Sequence, residues 1–370
     1  MSSADLAALR SDLRGFLKER LADVPPAMRA WSWIGVDPEF SKELGQRGWI
    51  GMTWPKRYGG HERSSIERYT VLEELLAAGA PVGSHWTADR QSGPLLLRFG
   101  TEDQRQRYLP AMARGELYFC IGMSEPQAGS DLAAVKTRAV RDGAGWRVTG
   151  SKLWTTNAAG AHMMITLVRT GEGSQRQEGL SQLIIDLSSP GVTVRPITDL
   201  AGERHFNEVF LDDVFVPDAQ FVGEEGGGWK QVMSELALER SGPERYLSSI
   251  RALIEFLRVQ GPQPEEPMRG LVGQLTARLW TLRQMSKAVA MRIDAGEDAG
   301  LDASIVKSLG ADLEQDMPRL IEAMGEGDMT DGSDLTQVLS FLLKESPSFS
   351  LRGGTREILK GIVARGIGLR

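Results

Sequence analysis

The apolar positions of this chain change their period twice. Up to about residue 117 they recur at helical spacing, from Leu117 to about residue 225 they fall in short strand-like runs, and beyond that the helical period returns. Leu6, Leu9, Leu13, Phe16, Leu17 and Leu21 share one stripe and predict a helix over residues 1–22. Ser3 is placed to cap it and Asp5 to sit in its first turn, and Pro25-Pro26 ends it. Further helices are expected over Pro38–Arg47, over Ser64–Ala78, from Pro81 through Leu97, and from Thr101 to Met112. The last is opened by a Thr101/Gln104 capping box and stopped at Gly115.

After Leu117 the strands read as Ala133–Val140, Trp146–Val148, Met163–Val168, Gln182–Ile185, Val192–Val194, Asn207–Leu211 and Val214–Val216. Asp142–Gly145 is a hairpin connection, Gly171–Gly179 a polar surface loop, and strands at this spacing point to a small barrel or sandwich. Gly226-Gly-Gly228 is a linker. Helix is expected from Trp229 to Val259 with a kink at Gly242-Pro243, then over Met268–Ala295, Ala303–Met324 and Thr355–Ala364; Gly325–Asp334 reads as a flexible acidic loop. The expected class is α+β multidomain: an N-terminal helical domain (1–117), a central small β-barrel (118–225) and a C-terminal helical bundle (226–370).

Composition narrows the picture. The 370 residues suffice for two or three cores, 41% apolar content argues against wholesale disorder, and a dispersed net charge of -6 gives no nucleic-acid surface. A single cysteine, Cys120, leaves no intrachain disulfide and favours a reducing compartment. His61, His85, His162 and His205 show no ligand spacing, so no metal site is expected. Charges at Asp5, Arg10 and Asp12 interrupt any signal-peptide core, and no apolar run reaches membrane-spanning length; the expectation is a cytoplasmic protein without membrane insertion.

Three polar clusters carry the candidate chemistry. The first is Met123-Ser-Glu-Pro-Gln-Ala-Gly-Ser-Asp131, where an apolar run turns into a loop with hydroxyls at Ser124 and Ser130 and open backbone at Gly129. On these residues alone an ordinary strand-to-loop exit is the favoured reading. The second is Gly150–Asn157, in which a ring system can stack on Trp154 and bond a threonine hydroxyl; a core tryptophan with β-favouring neighbours is the plain alternative. The third is Leu351–Ile358, where Gly353-Gly354 precede a Thr355-capped helix, as in an anion cradle or a simple loop with its N-cap. Neither a dinucleotide-binding glycine fingerprint nor a P-loop is present.

Taken together and in order, these clusters resemble the acyl-CoA dehydrogenase family. Residues 123–131 resemble its first signature, Lys152-Leu-Trp-Thr-Thr156 its flavin-stacking motif, Phe206–Pro217 its barrel exit, and Gly353-Gly-Thr-Arg-Glu-Ile358 its C-terminal FAD motif. The resemblance implies noncovalent FAD and α,β-dehydrogenation of an acyl-CoA, with electrons passed to an electron-transfer flavoprotein-type acceptor. It implies that residues 121–130, Met123 and Gly129 among them, and Trp154, Thr155 and Thr156 line the isoalloxazine. Ser124 and Thr156 would hydrogen-bond it, and Thr355, Arg356 and Glu357 would contact FAD. Ser130, Arg240 and Gly354 would border the acyl-CoA.

Many members place the catalytic glutamate where this chain has Gly353. A smaller set, including isovaleryl- and long-chain-type enzymes, supplies it from a bundle helix, directly before an arginine. Leu238-Glu-Arg240 fits that pattern, which implies Glu239 as the base and the Gly353 N–H as the carbonyl-polarising donor. A solvated helix face is the alternative reading of Glu239, with Glu235 in reserve. The family's Arg-x-x-Phe-Gly segment is missing from Arg258–Arg269, and the glycine-rich region is altered at Gly325–Gly332. A homo- or hetero-oligomer, dimer or tetramer, is expected, and a non-catalytic or half-site subunit of a heteromeric dehydrogenase is the alternative function.

Overall fold

The computed structural model describes residues 3–171, 176–238, 240–325 and 331–369. Glu239 and parts of the two polar loops expected at 171–179 and 325–334 therefore lie outside the described residues, as do the side chains of Ser3, Leu236, Ala237 and Leu238. Seven helices precede the strands: α1 (Ser3–Arg20), α2 (Pro26–Arg29), α3 (Pro38–Gln46), α4 (Ser65–Ala78), α5 (Gly83–Thr87), α6 (Gly93–Phe99) and α7 (Glu102–Ala113). The strands are β1 (Phe119–Gly122), β2 (Arg138–Asp142), β3 (Gly145–Thr156), β4 (Met163–Arg169), β5 (Leu180–Asp186), β6 (Val192–Ile197), β7 (Phe206–Pro217) and β8 (Phe221–Val222). The chain ends with α8 (Gly228–Leu238), α9 (Ile250–Gln260), α10 (Met268–Asp294), α11 (Gly300–Met324), α12 (Asp334–Glu345) and α13 (Arg356–Gly366).

The backbone gathers into two compact units: residues 36–62 with 83–238, and residues 1–35 with 63–82 and 239–370. The first holds the sheet. Its strands run in the order β6-β7-β3-β2-β4-β5-β8, with β1 added in parallel to β4. The expected hairpin at 142–145 joins β2 to β3, with Gly143 in the left-handed region at φ 58°. Inward residues of every strand meet in one core, among them Cys120, Trp146, Met164, Leu183, Val209 and Phe221, so the sheet curls around its own contents as a small barrel does. A second core joins β1, β4 and β5 to the helices through Trp54, Leu96, Tyr108, Met112, Phe119, Ile165 and Ile184.

The second unit is all helix. Its start signals are local: Ser64 and Glu67 form a capping box on α4, and Ser333 caps α12. Glu73 of α4 draws in Arg10 of α1 and Arg283 of α10, at 2.8 and 2.6 Å, and accepts from Tyr69. Gly310 of α11 presses against the turn at Pro243–Arg245: a Cβ there would lie 1.9 Å from the Arg245 carbonyl oxygen.

Two expected helices are broken. The stretch from Pro81 to Leu97 forms α5, a wide turn over Ala88–Ser92 and α6, because the polar run Asp89–Ser92 interrupts the apolar stripe. The stretch from Trp229 to Val259 does not kink but ends. After α8, Gly242 adopts extended backbone, a short 3₁₀ turn spans Pro243–Arg245, and α9 starts only at Ile250. Helix α12 was not expected, since the glycine-rich segment before it reads as loop.

Candidate functional site

In the sheet unit the first two clusters are fastened by a buried ion pair. Lys152, on β3, is fully buried and reaches Glu125 Oε1 at 2.8 Å and the Met123 carbonyl at 3.2 Å. The Glu125 carboxylate also accepts the Lys136 N–H at 2.7 Å, the Thr137 N–H at 2.9 Å and the Thr137 hydroxyl at 2.6 Å. Glu125 and Ala128 exchange backbone hydrogen bonds, and the Leu153 N–H donates to the Ser124 carbonyl at 2.8 Å. Burial pushes the Glu125 carboxyl up, but the Lys152 charge and the hydrogen bonds from Lys152, Thr137 and Lys136 outweigh it and hold the group down at about 2. Burial draws Lys152 down to about 8 against the pull of Glu125. The pair is ionised at neutral pH. Gly150 is needed beside it: at φ 153°, a Cβ would fall 2.5 Å from the Thr137 hydroxyl oxygen.

The loop's lower side is apolar. Met123, Leu132 and Ala134 pack with Val135, Leu167 and, on α8, Val232. Ser124 is half-buried, and Gly129 and Ser130 are exposed. Gly129 shows no left-handed backbone, and a Cβ there meets nothing within 4 Å, so the position is open rather than strained.

Trp154 behaves differently. The β3/β7 register shifts between Lys152 and Thr155, and in that irregularity Trp154 takes φ 60°, a rare conformation for a bulky residue. Its indole is 54% exposed and meets Phe206 edge-on, with centroids 5.7 Å apart. Thr155 is buried, its carbonyl takes the Asn207 amide at 3.0 Å, and its hydroxyl has no hydrogen-bond partner among the described residues. Thr156 is half-buried. A presented aromatic face, an orphaned hydroxyl and an open serine-bearing loop on one unit are the donor set that a planar ring with polar edges needs, so these residues fit FAD.

Helix α8 is pinned to the sheet. Glu235 accepts Gln182 Nε2 at 2.7 Å, Gln231 donates to the Val222 carbonyl at 2.8 Å, and Arg98 donates to Ser234 at 2.8 Å. Glu235, the reserve base, is thus a packed anchor against β5. Glu239 follows α8 directly in the chain.

The helical unit carries the third cluster. Gly353 and Gly354 both lie in the left-handed region, at φ 71° and 106°. Buried Arg240 donates from Nε to the Gly353 carbonyl at 3.1 Å, and its guanidinium lies 3.7 Å from where a Gly354 Cβ would stand. Thr355 caps α13 through the Ile358 N–H. Arg356 pairs with Asp312 at 2.7 Å and bonds Gln315. Glu357 is held below the usual carboxylate range, first by its own backbone N–H and then by Thr355. The structure therefore groups Met123, Ser124, Gly129, Ser130, Trp154, Thr155 and Thr156 on one unit, and Arg240, Gly353, Gly354, Thr355, Arg356 and Glu357 on the other. Sequence reading overlooked the Glu125–Lys152 pair; a lysine inside a β-strand beside apolar neighbours was its signal.

Comparison with known proteins supplies the rest. Family models for the acyl-CoA dehydrogenase N-terminal, middle and C-terminal domains match residues 3–116, 120–214 and 226–368. The chain is 35% identical to acyl-CoA dehydrogenase IpdE1 of Mycobacterium tuberculosis, over 97% of this chain and 96% of that one. It is 30% identical to mitochondrial isovaleryl-CoA dehydrogenase of Pongo abelii, over 82% and 75%. It superposes on the solved Tcur3481-Tcur3483 steroid ACAD with TM-score 0.88 and 29% identity, covering 100% of this chain and 99% of that one. The chain belongs to the acyl-CoA dehydrogenase family, and it is an FAD-dependent oxidoreductase that acts on the CH–CH bond of acyl-CoA thioesters.

Proposed function

We propose that Glu239 is the base that removes the α-proton of the acyl-CoA and that the Gly353 N–H polarises the thioester carbonyl. The observation that carries this reading is the hydrogen bond from Arg240 to the Gly353 carbonyl, at 3.1 Å. It ties the residue that follows Glu239 to Gly353, whose own N–H is the one assigned to the substrate oxygen. An α-proton beside a thioester is weakly acidic, so a base and an electrophile must act on one substrate together, and a water-poor site brings the base toward neutrality. FAD, when bound, supplies the acceptor for the β-hydrogen. Ser124, Gly129, Ser130, Trp154, Thr155 and Thr156 orient its ring, Met123 backs the loop from beneath, and Thr355, Arg356 and Glu357 serve it at the start of α13. Ser130, Arg240 and Gly354 border the acyl-CoA.

We assign three domains, 1–117, 118–225 and 226–370, an electron-transfer flavoprotein-type acceptor, an oligomer of like or unlike subunits, and a cytoplasmic setting. Among the described residues no helix is long and apolar enough to cross a membrane. A bulky, ring-containing acyl group is the favoured substrate class. Support comes from the turn at Pro243–Arg245, which follows α8 within a few residues, and from the likeness to a protein titled a steroid ACAD.

The test is anaerobic titration of the FAD-loaded protein with straight-chain, branched and steroid side-chain acyl-CoAs, following flavin absorbance. Glu239→Gln is expected to retain FAD and lose reduction by every acyl-CoA that bleaches the wild type. Undiminished reduction in that variant removes Glu239 from the chemistry.

A further inference from the structure

The residue before Gly353 is built into the helical unit by several contacts. The Arg352 guanidinium lies over the rings of Trp33 and Phe349, 4.3 and 4.2 Å from their centroids. It pairs with Glu314 at 3.1 Å and donates to Ser248 Oγ at 2.7 Å and to the Glu244 carbonyl at 3.1 Å. Glu314, on α11, is fully buried. Its other carboxylate oxygen accepts the Ser248 N–H at 2.8 Å, and its backbone carbonyl accepts the Ser249 hydroxyl at 2.6 Å. One carboxylate thus holds the chain that follows Glu239-Arg240 and also the residue that precedes Gly353. The Arg240–Gly353 hydrogen bond closes the circuit.

We propose that Arg352 and Glu314 are positioning residues for the reaction. They lock the Gly353 peptide to the segment that follows the base, so that the N–H at 353 and the carboxylate at 239 address the same thioester. This inference rests on the roles assigned to Glu239 and Gly353 above. A buried ion pair is a poor stabiliser when set against an apolar replacement, and fixing register is its best-attested use. Here it spans three distant stretches of chain that must meet at one carbonyl.

The experiment compares Glu314→Gln and Arg352→Lys with wild type, all FAD-loaded, using the acyl-CoA from the titration that bleaches the flavin fastest. Each variant is expected to lose ~10–100-fold in kcat per bound flavin while KM stays within about 3-fold, because a misplacement of about 1 Å costs rate rather than binding. Arg352→Lys suffers because lysine lacks the planar fork and the stacking face. In both variants, hydrogen–deuterium exchange of the amides of residues 349–355 is expected to quicken. Ser248→Ala, a milder change, is expected to lower kcat by only a few-fold and serves if either charge variant fails to fold. Unchanged kcat per flavin alongside a lower thermal midpoint overturns the proposal, since the pair would then be merely structural. Unchanged loop exchange overturns it as well. Glu239→Gln separates the two readings. If it stays active the base assignment fails, whereas the exchange measurement, which needs no turnover, still decides whether the pair holds the loop.

Discussion

Two loops of this molecule are each fastened by one buried carboxylate and one cation, and they are fastened in different ways. At the sheet, Glu125, in the loop after β1, meets Lys152 within β3, and backbone N–H groups of residues 136 and 137 complete the carboxylate's shell. In the helical unit, Glu314 and Arg352 join three stretches far apart in sequence, with the guanidinium also over the Trp33 and Phe349 rings. The first arrangement holds a surface in shape with the strands around it. The second exists only where α11, the turn before α9 and the segment before α13 are packed together. The sheet loop is therefore a local construction, and the Gly353 loop is a product of tertiary structure.

The largest effect is expected where the local construction is broken outright. Lys152→Met leaves the Glu125 carboxylate buried without its charge partner and should cost about 3–5 kcal/mol of stability. Chemical denaturation followed by tryptophan fluorescence checks this, and a loss under 1 kcal/mol would mean that the backbone donors alone satisfy Glu125. A somewhat smaller effect is expected from acid. The Glu125 carboxyl has a folded value near 2 against an ordinary 4.5, so the folded state favours the ionised form. Its contribution is fully present above about pH 4.5 and is lost as pH falls toward 2, amounting to about 3 kcal/mol at most. Wild type should thus lose stability over that window more steeply than Glu125→Gln, whose side chain does not titrate; parallel curves would contradict the assignment.

The smallest stability effect is expected at Trp154. Trp154→Gly relieves a left-handed backbone and loses one edge-on aromatic contact, terms of about 1 kcal/mol each with opposite signs. Stability should stay within about 1 kcal/mol of wild type while FAD affinity, measured by flavin fluorescence, falls about tenfold or more. A variant that keeps its flavin would show the exposed indole to be dispensable.

The same contrast explains what could be read from the sequence. The change of period at Leu117, the 142–145 hairpin and the Thr101/Gln104 capping box are local signals, and the elements formed where they indicated. The polar clusters were legible as motifs because each is contiguous. Lys152 and Glu125 lay inside those motifs, yet their pairing was not readable, since nothing in a one-dimensional pattern says which buried charge meets which. Arg352 and Glu314 were further out of reach: Glu314 sits in a long helix among other acidic residues, and only the packing of α11 gives it a role. The broken helices failed for a related reason. Apolar spacing alone does not register that Gly242-Pro243 and the polar run at 89–92 stop a helix rather than bend it.

The contact at Gly310 has a consequence for how this part of the helical unit can tolerate change. Where α11 meets the turn after Arg240 it touches with bare backbone, since a Cβ on Gly310 would stand 1.9 Å from the Arg245 carbonyl oxygen. A side-chain contact has rotamers and can yield; this one has none, so it acts as a spacer of zero thickness. Whatever reshapes the chain around this turn must do so with residues on either side of that point, because the point itself is a fixed datum from which the rest of the turn is measured.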